Sequence, residues 1–334
     1  MLRKAFQKFL QNELVGIGFT LFVLCASLLI FTKGFFSAYN IDSLARDVAI
    51  FTIVGMSQMV TLGVGQFNLA VGAIGGAAGM VCGAMLELLG VPFIVAIIAG
   101  LIVGYALGYF QGLLIVKTKI NPFIITLALI SVYHGINMTI TQNVFFRNLP
   151  DNFKAIAKAS VFRIPVLVII VIAIMLIFWF LFNRTVIGRK MLATGVSTRA
   201  ADYAGINSAK VTMTAHGLSG LLAAAAGILT ISKLGAAQTS IGTTWLLISF
   251  AAPILGGTLL SGGKVSIAGT FIGATLMTVL TNALVLFGVN FYWFQTFTGS
   301  ILLLAFAANK LRSTMSYGQD NAIAIGGKKI EQSK

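Results

Sequence analysis

The chain has 334 residues, 58% of them apolar and 9% charged, with a mean hydropathy of +0.97. Soluble globular proteins do not use residues this way, and apolar runs recur from Leu14 to Asn309 with no polar stretch long enough to build a second core. The formal charge of +15 does not mark a nucleic-acid binder, because the Lys and Arg residues lie in short gaps between apolar runs, with no stripe along one helix and no aromatic-basic interleaving. These features predict an all-α, polytopic integral membrane protein with one membrane domain.

A basic segment, 1–13, carries Arg3, Lys4 and Lys8. The apolar run after it is too long for a signal peptide and lacks a small-residue cleavage pattern, so an uncleaved first span is expected. A span needs ~20 mainly apolar residues to cross ~30 Å of hydrocarbon. Ten candidates follow, at 14–32, 48–64, 69–86, 91–116, 122–141, 164–183, 211–232, 244–260, 265–289 and 291–309, the second, third and eighth short or interrupted by Gly. Between the fifth and sixth, the loop Asn143 to Arg163 places Phe153, Ile156 and Ala157 at helical spacing, which predicts an interfacial helix that faces either a partner or lipid. The predicted membrane domain is thus 14–309, followed by a basic tail, 310–334, without the apolar periodicity to dock on a core. Cys25 and Cys82 lie in apolar runs without ligand spacing and read as packing residues.

With ten spans and the amino end inside, Arg3, Lys4, Lys8, Lys117, Lys119, Arg184, Arg189, Lys190, Arg199, Lys210, Lys264, Lys310, Arg312, Lys328, Lys329 and Lys334 fall on the inner side. That is sixteen of the 23 basic residues, against seven outside. A miscount by one span would destroy the bias, so even parity with both termini cytoplasmic is expected.

Chemistry of its own is missing from the sequence. The nearest approach to a phosphate loop, Leu260-Ser261-Gly262-Gly263-Lys264, has Thr258 where the first Gly belongs and Val265 after the Lys. No HExxH or GxSxG occurs, and His134 and His216 sit on different spans as packed or pore-lining residues. All eight acids lie at span ends, in loops or in the tail, so the spans hold almost no ionisable group for proton or sodium coupling. A neutral pathway suits an uncharged polar solute, moved either with energy from another subunit or by a stand-alone channel or facilitator. Gln58, Gln66, Asn68, Asn137, Gln238 and Asn282 are the candidate pathway residues, since amides supply donors and acceptors without charge. Each competes with a role as interhelical glue. In the loop 184–210, Ser197 or Thr198 can cap a short helix running to Asp202, and Gly205 can end it in a left-handed conformation.

Three stretches carry a family resemblance. Gly65-Gln66-Phe67-Asn68-Leu69-Ala70-Val71-Gly72 is similar to a GGIDLSVG segment, and Gly112 to Lys117 followed by Asn121-Pro122-Phe123-Ile124 is similar to NGLLIAKLKIPPFIATL. A block from Arg184 to Val289 keeps the order Gly188-Arg189, Ala204-Gly205-Ile206-Asn207, Leu234 to Gln238, Leu255-Gly256-Gly257-Thr258, Ser261-Gly262-Gly263 and Asn282. Over roughly residues 45–309 the chain resembles the permease subunits of ribose, xylose, galactose and autoinducer-2 type bacterial ABC importers.

The resemblance implies a type II importer-like permease fold in the bacterial cytoplasmic membrane and a sugar or sugar-like solute. It also implies an ATP-binding subunit that hydrolyses the ATP, an extracytoplasmic solute-binding protein and a second permease subunit, identical or different. Catalysis and a bound cofactor are not expected of this chain. The loop 184–210 becomes the link to the ATPase, with Gly188, Arg189, Ser197, Thr198, Arg199, Asp202 and Gly205 as coupling residues. The chain departs from the pattern at Asn68 and Ile248, where the family carries acids, at Gln66 and Ala70, and at Pro253.

Overall fold

The structure is a computed structural model that describes residues 13–303 apart from 33, 163, 291, 292, 298, 301 and 302. The basic segment 1–12, the tail 310–334 and most of the tenth candidate span lie outside the described residues. In chain order the helices are α1 (Glu13–Phe31), α2 (Ala38–Gly63), α3 (Val71–Glu87), α4 (Phe93–Thr118), α5 (Pro122–Thr141), α6 (Asp151–Lys158), α7 (Val166–Arg184), α8 (Val186–Val196), α9 (Thr198–Tyr203), α10 (Ser208–Leu234), α11 (Trp245–Leu255) and α12 (Ile267–Leu286). A two-residue hairpin, β1 (Ser160–Val161) with β2 (Ile164–Pro165), joins α6 to α7. Helices α4, α5, α7, α10 and α12 are each long and apolar enough to cross a membrane, and α1, α3 and α11 are shorter apolar helices. The protein is therefore polytopic.

The chain divides into two units, residues 1–289 and 290–334. In the second, the Trp293 N–H donates to the Asn290 carbonyl at 2.9 Å, and the Trp293 and Phe297 rings lie 6.5 Å apart.

Within the first unit α10 is the central helix, packed on α2, α3 and α4. Its fit to α4 depends on small residues four apart. A Cβ on Gly100 would come within 2.9 Å of Ile228, one on Gly104 within 2.7 Å of the Gly220 carbonyl, and one on Gly112 within 2.8 Å of the Met213 Cα. Inside a bilayer, where lipid is as apolar as Leu, such backbone approach supplies the dispersion that holds helices together.

Contacts between connecting segments sort into two opposite ends. At one, Lys233 of α10 pairs with Asp47 of α2 at 2.5 Å, Asn282 of α12 exchanges two hydrogen bonds with Asn40 of α2 at 2.9 and 3.1 Å, and the Asn148 N–H donates to Glu87 at 2.8 Å. Buried Arg46 is paired with Asp42 at 2.8 Å and donates to Ser160 at 3.1 Å and to the Ala157 carbonyl, tying α6 and the hairpin to α2. At the other end the α2–α3 turn, the end of α8 and the loop 256–266 meet: the Gly263 N–H donates to the Gly63 carbonyl at 3.1 Å. From α2 to α10 the consecutive long helices alternate in direction between these ends, whereas α10 and α12 run the same way, with Lys233 and Asn282 late in each at the first end, and residues 235–266 carry the chain back between them.

Two spans differ from expectation. Helix α2 starts at Ala38, ten residues before the predicted 48, because the charges that lower hydropathy there are neutralised by the Asp42–Arg46 and Asp47–Lys233 pairs. The predicted span 244–260 contains only the eleven-residue α11, which carries Pro253 and ends before the turn at Gly256 and Gly257.

Candidate functional site

The turn between α2 and α3 is held by a closed set of polar side chains. Asn68 is fully buried, and its amide donates to Ser219 Oγ of α10 at 2.9 Å while its oxygen accepts the Ala70 N–H at 3.0 Å. That second bond, from the residue two positions on, closes an Asx-type turn that leads the chain into α3. Ser57 of α2 donates to the Ser219 carbonyl at 2.8 Å and lies 3.0 Å from its hydroxyl. The Gln58 amide, in the orientation its neighbours dictate, donates to the Asn68 carbonyl at 2.7 Å and accepts the Asn68 N–H at 3.3 Å.

Half-buried Gln66 projects from the same turn. Its Oε1 accepts from His216 Nε2 at 2.9 Å, and His216 Nδ1 accepts from the Gln111 amide of α4 at 2.8 Å, a pattern that places the imidazole proton on Nε2. Gln111 is fully buried, and its Oε1 has no partner among the described residues. The His216 ring thus couples the turn, α10 and α4, and the Phe67 ring beside Gln66 lies 6.0 Å from the Phe250 ring of α11.

The remaining predicted pathway residues are dispersed. Asn282 is at the opposite end with Asn40, Asn137 is buried on α5, and Gln238 is half-buried on the connection between α10 and α11. Gln58, Gln66 and Asn68 are brought together; the other three are not. Ser57, Ser219 and Gln111 were not among the site residues read from the sequence, where a buried Ser or Gln in a small-residue helix carries no signal of a site.

The loop 184–210 folds as two short helices. Thr185 Oγ1 caps α8 by accepting the Gly188 N–H at 3.2 Å, and Ser197 caps α9 through the Ala200 N–H at 3.3 Å. The Thr198 hydroxyl instead donates back to Thr194 at 3.5 Å. Gly205 follows α9 with φ +79, and Asp202 accepts the Ser208 N–H at 3.2 Å, clamping α9 to the start of α10. Buried Gly188 packs on the backbone of Leu181 and Phe182, while Arg189 is exposed. Arg199, Asp202 and Tyr203 form an open face, with Tyr203 93% exposed.

This pair of helices touches the polar turn. Gly195, near the end of α8, fits against the Gly63 carbonyl, and a Cβ on it would fall 2.5 Å from the Gly263 nitrogen. A Cβ on Gly262 would fall 2.6 Å from the Gly195 carbonyl and 2.7 Å from the Gly65 nitrogen. Three backbone segments therefore meet with no side chain between them. Among the described residues, no three His, Cys, Asp or Glu side chains gather as metal ligands.

A family profile described as branched-chain amino acid transport system / permease component matches residues 40–306. The chain belongs to this family. The permease is 35% identical over 296 residues to the ribose import permease protein of Bacillus subtilis (strain 168), covering 88% of this chain and 91% of that one. It is 33% identical over 299 residues to the D-allose transport system permease protein of Escherichia coli (strain K12), covering 88% and 91%, and 30% identical over 288 residues to the fructose import permease protein of Rhizobium meliloti, covering 83% and 79%. No solved structure matches the permease.

Proposed function

We propose that the chain is the membrane-spanning permease subunit of an ATP-driven, binding-protein-dependent importer of a monosaccharide. The relatives named for ribose, D-allose and fructose import support a sugar as the solute. The observation that carries the mechanism is the contact of the α8–α9 pair with the α2–α3 turn through Gly63, Gly195 and Gly263.

In this reading the Gly65 end is cytoplasmic, the complete chain has ten spans with both termini inside, and α6 with its hairpin faces the solute-binding protein and the lipid surface. The exposed face of α9, with Arg199, Asp202 and Tyr203, seats on an ATP-binding subunit. Closure of that subunit displaces α8, and Gly195 passes the displacement to the turn bearing Gln66 and Asn68. Because main chain bears directly on main chain there, little motion is lost to side-chain rotation. Gln58 and Asn68 give the turn its shape from behind, and half-buried Gln66 presents an amide toward the pathway of a neutral polyol. A second permease subunit completes that pathway. The permease itself needs no cofactor, the ATP being used by its partner.

The test is sugar uptake into proteoliposomes holding the permease with its ATP-binding and solute-binding partners. Gly205→Pro cannot adopt φ +79, so a variant that still assembles is expected to lose uptake. Equilibration of sugar by the permease alone, without ATP or partners, would contradict the importer and favour a facilitator.

A further inference from the structure

The connection between α10 and α11, residues 235–244, does not remain at the end of the bundle. Helix α10 is stopped by Gly235 in the left-handed region, and Ala237 then pairs with Phe146 through bonds of 2.9 and 3.0 Å. From there the chain runs inward along α3. A Cβ on Gly83 would meet Ala237 at 2.5 Å, one on Gly76 would meet the Ile241 carbonyl at 2.5 Å, and one on Gly72 would collide with the Gly242 carbonyl.

The depth follows from helix rise. Gly76 is eleven residues from Glu87 at the end of α3, or ~16 Å along the axis at 1.5 Å per residue. Helix α10 gives the same answer: the Trp245 ring meets the α3 position Gly75 beside the Ala223 carbonyl, and Ala223 is ~16 Å inward of Leu234. Helix α11 thus begins about halfway through ~30 Å of hydrocarbon, and the segment leading to it is not helical.

Non-helical backbone at membrane depth is stable only where protein buries it or water reaches it, since unpaired N–H and C=O groups cannot face lipid. One side of this segment is buried against α3. The other bears Ser240, Thr243 and Thr244, all exposed, with half-buried Gln238 beside them. The Thr243 hydroxyl donates to the Ser240 carbonyl at 2.8 Å, whereas those of Ser240 and Thr244 have no partner among the described residues. Further along α11, Phe250 stacks obliquely on Phe67, both half-buried.

We propose that residues 238–244 form the stretch over which the solute passes, with Ser240, Thr243 and Thr244 exchanging hydrogen bonds with sugar hydroxyls and the Phe67–Phe250 pair receiving the apolar face of the ring. Several hydroxyls on a short arc match a polyol and carry no charge. The inference rests on the importer reading for its solute, but its claim of a water-lined surface stands apart from the energy source.

The test begins with a variant lacking Cys25 and Cys82, into which Ser240→Cys, Thr243→Cys or Thr244→Cys is placed. Membrane-impermeant charged methanethiosulfonate should label the new thiols in the assembled complex, and excess D-ribose, D-allose or fructose should slow labelling at least threefold for whichever sugar is transported. Thr244→Val and Ser240→Ala should lower uptake at least tenfold while leaving assembly and ATP hydrolysis intact. Thiols that react only with apolar maleimides would place the stretch against lipid and overturn the proposal, as would hydroxyl-free variants that transport normally. If ATP-driven uptake fails in the unsubstituted complex, the importer reading fails, and thiol labelling with sugar protection still decides the water-lined surface.

Discussion

Gly195→Ala adds one methyl group at the point where α8 meets the α2–α3 turn. Its Cβ would lie 2.5 Å from the Gly263 nitrogen and closer still to the Gly63 carbonyl. Ordinary contact begins near 3.5 Å, so the segments must part by roughly 1 Å. The hydrogen bond from the Gly263 N–H to the Gly63 carbonyl, 3.1 Å long, crosses this meeting point and then passes beyond useful length. Overpacking of this kind costs about 1–3 kcal/mol, enough to loosen the joint without unfolding a bundle held by α4 and α10. The expected phenotype is uncoupling: in proteoliposomes, ATP hydrolysis stimulated by the solute-binding protein stays within about twofold, and sugar imported per ATP falls about tenfold, equivalent to ~1.4 kcal/mol. Gly135→Ala on α5, where an added Cβ meets nothing within 4 Å, is the control and should change neither quantity. A Gly195→Ala complex that assembles and imports normally would refute the reasoning, and so would a parallel fall in hydrolysis and uptake.

Three further outcomes are expected. Asn68→Ala removes the bonds to Ser219 and to the Ala70 N–H and leaves that buried N–H unpaired, which should destabilise the permease by about 2–3 kcal/mol; thermal unfolding in detergent measures it, and a double cycle with Ser219→Ala should show coupling of ~1 kcal/mol. Asp47→Asn leaves half-buried Lys233 without its ion pair, so hydrogen exchange in α6, which Ser232 holds through Phe153 and Ala157, should rise severalfold; unchanged exchange would detach the pair from that end of the bundle. Tyr203→Ala deletes a side chain of α9 that is 93% exposed, and binding of the ATP-binding subunit should weaken about tenfold or more by surface plasmon resonance; unchanged affinity would show that another surface makes that contact.

The sequence revealed most where local chemistry sets an element's limits. Helix α5 runs over the predicted 122–141 because Asn121 caps it, accepting the Phe123 N–H at 2.9 Å, and Pro122 opens its first turn. Ser197 and Gly205 bound α9 for similarly local reasons. Other features depend on partners far away along the chain. The early start of α2 needs Lys233 and the carbonyl of Ala157, and the environment of His216 depends on Gln66 and Gln111, 150 and 105 residues distant. Hydropathy also cannot distinguish a crossing helix from a half-helix with an unwound leader, so 244–260 reads as a span and nothing in the sequence sets Ser240, Thr243 and Thr244 apart. Of the six pathway amides read from the sequence, Gln58, Gln66 and Asn68 meet at the α2–α3 turn and Asn137, Gln238 and Asn282 do not, and the α10 serine and histidine that bind the turn were not assigned to it.

The most direct measurement for the account as a whole is the ratio of internal to external labelled D-ribose, D-allose or fructose in proteoliposomes carrying the full complex. The importer predicts accumulation of at least one of these sugars several-fold above the external concentration, only with ATP and only with the solute-binding protein. A ratio that rises to one and stops, with or without ATP, would contradict it.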